Sequence, residues 1–105
     1  MNCRIQPHAT VLFQGDSITD AGRSRENDKD LGRGYAAMVA AWFSARYPGH
    51  CVQFLNRGIS GNRTRDLLSR WKKDCLDLHP TWVSILIGIN DTWRRYDADD
   101  PTPAD

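Results

Sequence analysis

No apolar run in the sequence approaches the roughly 20 residues needed to cross a bilayer. The opening stretch, Met1-Asn2-Cys3-Arg4-Ile5-Gln6-Pro7-His8, holds no apolar segment of the kind that directs secretion. Charge of one sign is also missing. Fourteen basic residues nearly cancel 13 acidic ones, leaving a net charge of +1, whereas a nucleic-acid face needs a basic excess or a basic cluster. Cysteine is scarce: Cys3, Cys51 and Cys75 are odd in number and lack the short spacings of a zinc site or a redox pair. Free thiols in a reducing, cytoplasmic setting are therefore expected, with Cys75 serving as a small buried hydrophobe. Neither G-x-x-x-x-G-K-S/T nor G-x-G-x-x-G occurs, so the backbone cradle of a nucleotide-binding loop is unsupported. Internal repeats and low-complexity segments are absent as well. The expectation is a soluble, unsecreted chain without membrane or nucleic-acid partners, sized at 105 residues for one small domain or part of a larger one.

What is present alternates between two periods. Ala9 to Phe13 reads as a buried strand ending at Gln14-Gly15. Tyr35, Met38, Val39, Trp42 and Phe43 recur at helical spacing until Pro48-Gly49 stops the pattern, which predicts a core-facing helix. Val52, Phe54 and Leu55 mark a second strand, and Leu67, Leu68, Trp71, Cys75 and Leu78 a second amphipathic helix ending before Pro80. Trp82 to Ile87 supplies a third strand. Strand, helix, strand, helix, strand at these lengths implies right-handed crossovers and a parallel α/β sheet. The segment from Asp97 to Asp105 reads as loop, and Pro103 suits the first turn of a following helix. A parallel sheet of three strands with two helices leaves edges and a face uncovered, which such sheets seldom tolerate. Residues 1–105 are thus expected to be the amino-terminal part of a domain, truncated after its third strand.

Three polar blocks stand just beyond the carboxyl ends of these strands, where open α/β sheets form their sites: Gly15-Asp16-Ser17-Ile18-Thr19, Asn56-Arg57-Gly58-Ile59-Ser60-Gly61-Asn62, and Gly88-Ile89-Asn90-Asp91. A serine at a strand end can present its Oγ to a carbonyl, and a backbone N–H and a side-chain amide from later loops can bind the developing oxyanion. A serine needs a base, usually a histidine oriented by a carboxylate, and no Asp-x-x-His follows the third block. Asp16 is adjacent to the serine but should point elsewhere and hold the turn through backbone N–H groups. Asp66 suits the positive end of the second helix. Asn62 and Asp91 are candidates for tying neighbouring loops together. Trp93 and Arg94 offer a flat apolar face and a forked donor suited to a sugar ring, although packing is the commoner use of such an aromatic. Arg23, Arg25 and Arg33 read as a solvated loop.

In order and spacing the three blocks resemble those of the GDSL, or SGNH, hydrolase superfamily. The resemblance implies that Ser17 is the nucleophile, Gly61 the backbone oxyanion donor and Asn90 the side-chain donor. The family's histidine and aspartate belong to a final block with no match here. Asp77-Leu78-His79-Pro80 imitates that block poorly, since its spacing is Asp-x-His and it precedes the third strand; His8 and His50 are no better placed. Asp20-Ala21-Gly22-Arg23, Gly32-Arg33-Gly34-Tyr35, Gly61 to Leu67 and Gly88 to Tyr96 look like the bacterial acetylxylan esterases of this superfamily. That likeness implies a three-layer α/β/α sandwich with strand order 2-1-3-4-5, no metal or other cofactor, removal of acetyl groups from xylo-oligosaccharides, and a homo-oligomer. Lipase and thioesterase activities are chemical neighbours of this reading, and a noncatalytic binding or assembly module is the alternative from another class.

Overall fold

The computed structural model describes residues 3–97. Three strands, β1 (Thr10–Gly15), β2 (Gln53–Asn56) and β3 (Trp82–Leu86), form a parallel sheet in the order β2-β1-β3. Leu12 stands opposite Leu55 on one side and Val83 on the other. The helical segments are α1 (Ser17–Asp20), α2 (Tyr35–Arg46), α3 (Thr64–Ser69), α4 (Trp71–Asp74), a 3₁₀ turn at Leu76–Leu78, and α5 (Ile89–Asp97). The expected parallel α/β architecture and the start of the 2-1-3 strand order are both present.

Alternation along the strands sends successive side chains to opposite faces. Val11 and Phe13 pack with Ala36 of α2, joined by Ile5, Tyr35, Val52 and Phe54. Leu12 and Leu55 pack on the other face with Cys75, Trp71 and Leu78. The central strand is thus buried on both sides, which is why β1 reads as a continuous apolar run rather than an alternating one. Burying Phe13 contributes about 2–3 kcal/mol, and its edge-on contact with Tyr35, at 5.7 Å between ring centroids, adds about 1 kcal/mol.

Four expectations need correction. In α2 the sheet is met by Tyr35, Ala36, Ala40 and Phe43, while Met38 and Trp42 are 71% and 64% exposed and Val39 is exposed too. This helix is apolar around much of its circumference, so the bulkiest stripe was not the one that docks, and alanine gives the closer approach to the strands. The second helix is not continuous. It breaks at Arg70 and again at Cys75 into α3, α4 and the 3₁₀ turn, leaving Leu67 and Cys75 buried and Leu68 exposed. The uncovered part of the sheet is not one whole face: β1 is covered on both faces and β2 over its second half, whereas all five residues of β3 are exposed. Finally, α5 occupies a stretch assigned no element from sequence. Its Ile89, Trp93 and Tyr96 recur at helical spacing, a stripe hidden by the intervening polar residues. Asp97, expected to open a loop, instead ends α5; the rest of that expected loop and the role of Pro103 lie outside the described residues. Among the described residues no helix is long and apolar enough to cross a membrane, and no group of histidine, cysteine and acidic side chains is arranged to hold a metal.

Candidate active site

Each of the three polar blocks sits at the carboxyl end of a strand. At the end of β1, Gly15 has no room for a side chain: a Cβ there would run into the Leu86 carbonyl oxygen and Thr19 Oγ1. This close approach lets the chain turn directly from strand into α1. Asp16 is buried, and its Oδ1 accepts a hydrogen bond from the Ile18 N–H at 3.0 Å, the capping role expected of it. The one-turn helix closes through Asp20 N–H to Asp16 O at 2.8 Å and Ala21 N–H to Ser17 O at 2.9 Å. Ser17 is left exposed at its start. Tyr35 of α2 steadies the turn through a 2.7 Å hydroxyl–hydroxyl contact with Thr19.

The loop after β2 is laid over that turn. Asn56, fully buried, donates to Thr19 O at 2.6 Å and Leu31 O at 2.9 Å and accepts from the Gly58 N–H at 2.8 Å. Gly58 lies so close that a Cβ would meet the Asp20 N at 2.6 Å. Ile59 N–H donates to Gly15 O at 3.1 Å, and Asn62 N–H folds back on Ile59 O at 3.1 Å. Between them Gly61 takes φ +85°, with nothing within 4 Å of where a Cβ would be; glycine suits this left-handed conformation. Among the described residues, neither the Ser17 N–H nor the Gly61 N–H is engaged in a hydrogen bond.

The third loop is drawn onto the second. Asn90 Nδ2 donates to the Asn62 carbonyl at 3.0 Å, and because an amide carries two N–H donors, one remains for another acceptor. Asp91 accepts from Thr64 N–H at 3.0 Å and Thr64 Oγ1 at 2.9 Å, with the Arg63 guanidinium at 3.9 Å. Asn62 Oδ1 accepts from Arg70 Nε at 2.7 Å. Asn62 and Asp91 therefore tie loops together, and Asp66 caps α3 by accepting from the Arg63 N–H at 2.9 Å. Trp93 and Arg94 are exposed on α5, the helix that carries Asn90.

Several residues given no role from sequence organise this end of the sheet. Arg70 donates to Arg57 O at 2.8 Å, Gln14 Oε1 at 2.9 Å, Gly15 O at 3.2 Å and Asp74 Oδ2 at 3.2 Å. Burial pulls its guanidinium below the ordinary range, and the Asp74 carboxylate opposes that pull. Asp20 accepts from Ser60 N–H and Oγ, each at 2.9 Å, and from Arg25 at 2.6 Å. Burial acts to raise its pKa, but the Ser60 hydrogen bonds and Arg25 outweigh burial and hold the carboxyl below its usual value. Arg23 is not solvated loop: its side chain is buried, donating to Gly58 O at 2.9 Å beside Asp20. Arg25 is bound to Asp20, while Arg33 lies exposed over Gly22. Local spacing announces little of this, because the bonds of Arg70 to Gln14, Gly15 and Arg57, of Arg23 to Gly58 and of Ser60 to Asp20 join residues 13 to 56 positions apart.

The histidines occupy the other end of the sheet. His8 N–H bonds to His50 O at 2.7 Å just before β1 and β2, and His79 takes a left-handed turn before Thr81, whose N–H reaches Thr10 O at 2.8 Å. His79 thus lies in the helix-to-strand turn expected for it. Cys75 is buried in the apolar cluster and burial pushes its thiol up, which makes it inert as a nucleophile.

A parallel α/β sheet with an exposed serine at the end of its central strand, and two donor-bearing loops folded against it, defines the class. The GDSL-like lipase/acylhydrolase family model matches residues 13–104, and the chain belongs to that family. An acetylxylan esterase of Geobacillus stearothermophilus is 50% identical, aligned over 83% of this chain and 42% of its own length. The crystal structure of Axe2, an acetylxylan esterase from Geobacillus stearothermophilus, superposes with a TM-score of 0.88 at 46% identity, covering 93% of this chain and 47% of Axe2. LAE5, an alpha/beta hydrolase enzyme from the metagenome of Lake Arreo, gives a TM-score of 0.88 at 37% identity over 93% of this chain and 49% of its own. Solved catalytic mutants of Axe2 replace a serine, an aspartate and a histidine by alanine. The chain spans about half the length of these relatives.

Proposed function

We propose that residues 1–105 are the amino-terminal part of a single SGNH-hydrolase domain, and that the whole domain is a carboxylic ester hydrolase removing acetyl groups from xylo-oligosaccharides or related acetylated sugars. Ser17 Oγ attacks the acetyl carbonyl. The N–H groups of Ser17 and Gly61 and the second amide N–H of Asn90 bind the oxyanion of the tetrahedral intermediate. The sugar hydroxyl departs with a proton, leaving an acetyl-enzyme that water hydrolyses to acetate. Both proton transfers need a base, and the histidines of this chain lie at the far end of the sheet, so the base comes from residues outside those described. A serine, an aspartate and a histidine replaced in catalytic mutants of Axe2 support that division. Trp93 and Arg94 receive the sugar, by ring stacking and by donation to its hydroxyls. The chemistry uses side chains and backbone alone, and three free thiols favour a reducing, cytoplasmic setting.

The observation that carries this reading is the bond from Asn90 to the Asn62 carbonyl, because it places the third-block donor beside the second-block loop that is itself pinned to the Ser17 turn. The test is acetate release from acetylated xylo-oligosaccharides by the protein that continues this sequence through its full domain. Ser17→Ala should abolish release, and Asn90→Ala should lower turnover about 100- to 1,000-fold with the fold retained. Undiminished release by either variant would defeat the assignment, and a preference for long-chain or thioester substrates would move it to a lipase or thioesterase.

A further inference from the structure

Asp20 is 3% exposed and ends the same helical turn that begins with Ser17. Its Oδ2 accepts from both the backbone N–H and the hydroxyl of Ser60, each at 2.9 Å, and from Arg25 Nη2 at 2.6 Å. Arg23 Nε stands 3.9 Å from its other oxygen. Ser60 is the residue before Gly61. The rest of that loop is already fastened without Asp20: Asn56 holds Thr19 O and the Gly58 N–H, Ile59 N–H holds Gly15 O, and Asn62 N–H holds Ile59 O. What these bonds leave unfixed is the peptide joining Ser60 to Gly61, where Gly61 takes φ +85° and nothing lies within 4 Å of where its Cβ would be.

We infer that Asp20 is a positioning residue: through its two hydrogen bonds from Ser60 it fixes where the Gly61 N–H points relative to the Ser17 hydroxyl. The inference rests on the reading of Ser17 and Gly61 given above. Nucleophile and oxyanion donor are then set in register by one helical turn and one carboxylate, and an error of about 1 Å in such a register can cost about 100-fold in rate.

The test uses the full-domain protein and compares wild type with Asp20→Asn, which keeps the shape and one acceptor, and with Ser60→Ala, which keeps the amide N–H but removes the hydroxyl. Turnover and KM for acetate release are normalised to Ser17 sites titrated with a p-nitrophenyl phosphonate. Asp20→Asn should lower kcat per titrated site about 10- to 100-fold with KM nearly unchanged, the pattern of an interaction lost in the transition state. Ser60→Ala should move the same way by less. A lower melting temperature with kcat per titrated site within about twofold of wild type would show a structural role only and overturn the inference. If Asp20→Asn does not fold, Ser60→Ala decides by the same criterion. Ser17→Ala run alongside separates the two failures: if it still turns over, the esterase reading itself falls and takes this inference with it.

Discussion

Gln14 points into the Leu12 side of the sheet with no solvent exposure, an expensive place for an amide unless both ends are satisfied. They are: Oε1 accepts from Arg70 and Nε2 donates to the Asp74 carbonyl. Buried polar residues at this end, Gln14, Asp16, Asp20, Asn56 and Arg63, hold loops rather than perform chemistry. Asp20 also ties stability to pH. In the folded protein its carboxyl is held below its ordinary value, so its contribution is fully present above the unfolded pKa and is lost as pH falls through the folded one. Urea unfolding midpoints should therefore drop in wild type as pH falls below about 4, and Asp20→Asn should flatten that acid loss; an equally steep loss in the variant would assign it to other carboxylates. At this scale the sequence was legible where roles are local. Asp16 and Asp66 hold the turns beside them as their positions imply, and Cys75 is the buried hydrophobe expected. Arg23, Arg70 and Asn56 were not legible, since their roles come from partners that only the sheet brings near.

The stretch from Thr64 to Leu78 shows how a polar side chain can override a periodic pattern. Its apolar residues fit one helix, yet Arg70 departs from helical geometry at φ −110°, ψ 10°, and its guanidinium fork reaches carbonyls of both β1 and the loop after β2. Several hydrogen bonds from one charged group outweigh a few residues of helix propensity, which differ by only about 0.7 kcal/mol each. Arg70→Ala should destabilise the fold by about 2–3 kcal/mol in chemical denaturation, and Arg70→Lys should recover only a minor share, because an ammonium lacks the planar fork. Full recovery by lysine would mean that charge, not geometry, holds the break. In α2 the reason is different: the stripe formed by Tyr35, Met38, Val39, Trp42 and Phe43 is the bulkiest on a helix apolar around much of its circumference, whereas Ala36 and Ala40 are the residues buried at its close approach to the strands. The helix α5 is poorly legible because polar residues separate its sparse apolar positions Ile89, Trp93 and Tyr96.

Across the molecule, the carboxyl end of the sheet carries the serine and donor loops, while β3 lies open, with Ile85 at 53% exposure. Trp82 pairs with Val11 and Val83 with Leu12, so β3 presents an apolar side chain to each face of the sheet beside a well-buried neighbour. Supplying the remainder of the domain should bury Trp82, shift tryptophan emission to shorter wavelength, and lose most of that shift in Trp82→Phe. An unchanged spectrum, together with sedimentation of the short chain as a discrete oligomer, would favour the assembly module. The parallel sheet and the placement of three blocks at one end were readable from the alternation of strands and helices, and the strand order β2-β1-β3 only from the family resemblance, because right-handed crossovers permit other orders; what covers β3 was not readable. The opposite end carries His8, His50 and His79, separated from Ser17 by the six residues of β1, about 20 Å at the rise of a strand. Imidazole is therefore a handle on the blunt end of this molecule. Diethyl pyrocarbonate should modify imidazoles at the end of the sheet away from Ser17, and on the proposed reading its inactivation of the full-domain protein would trace to a histidine outside residues 1–105.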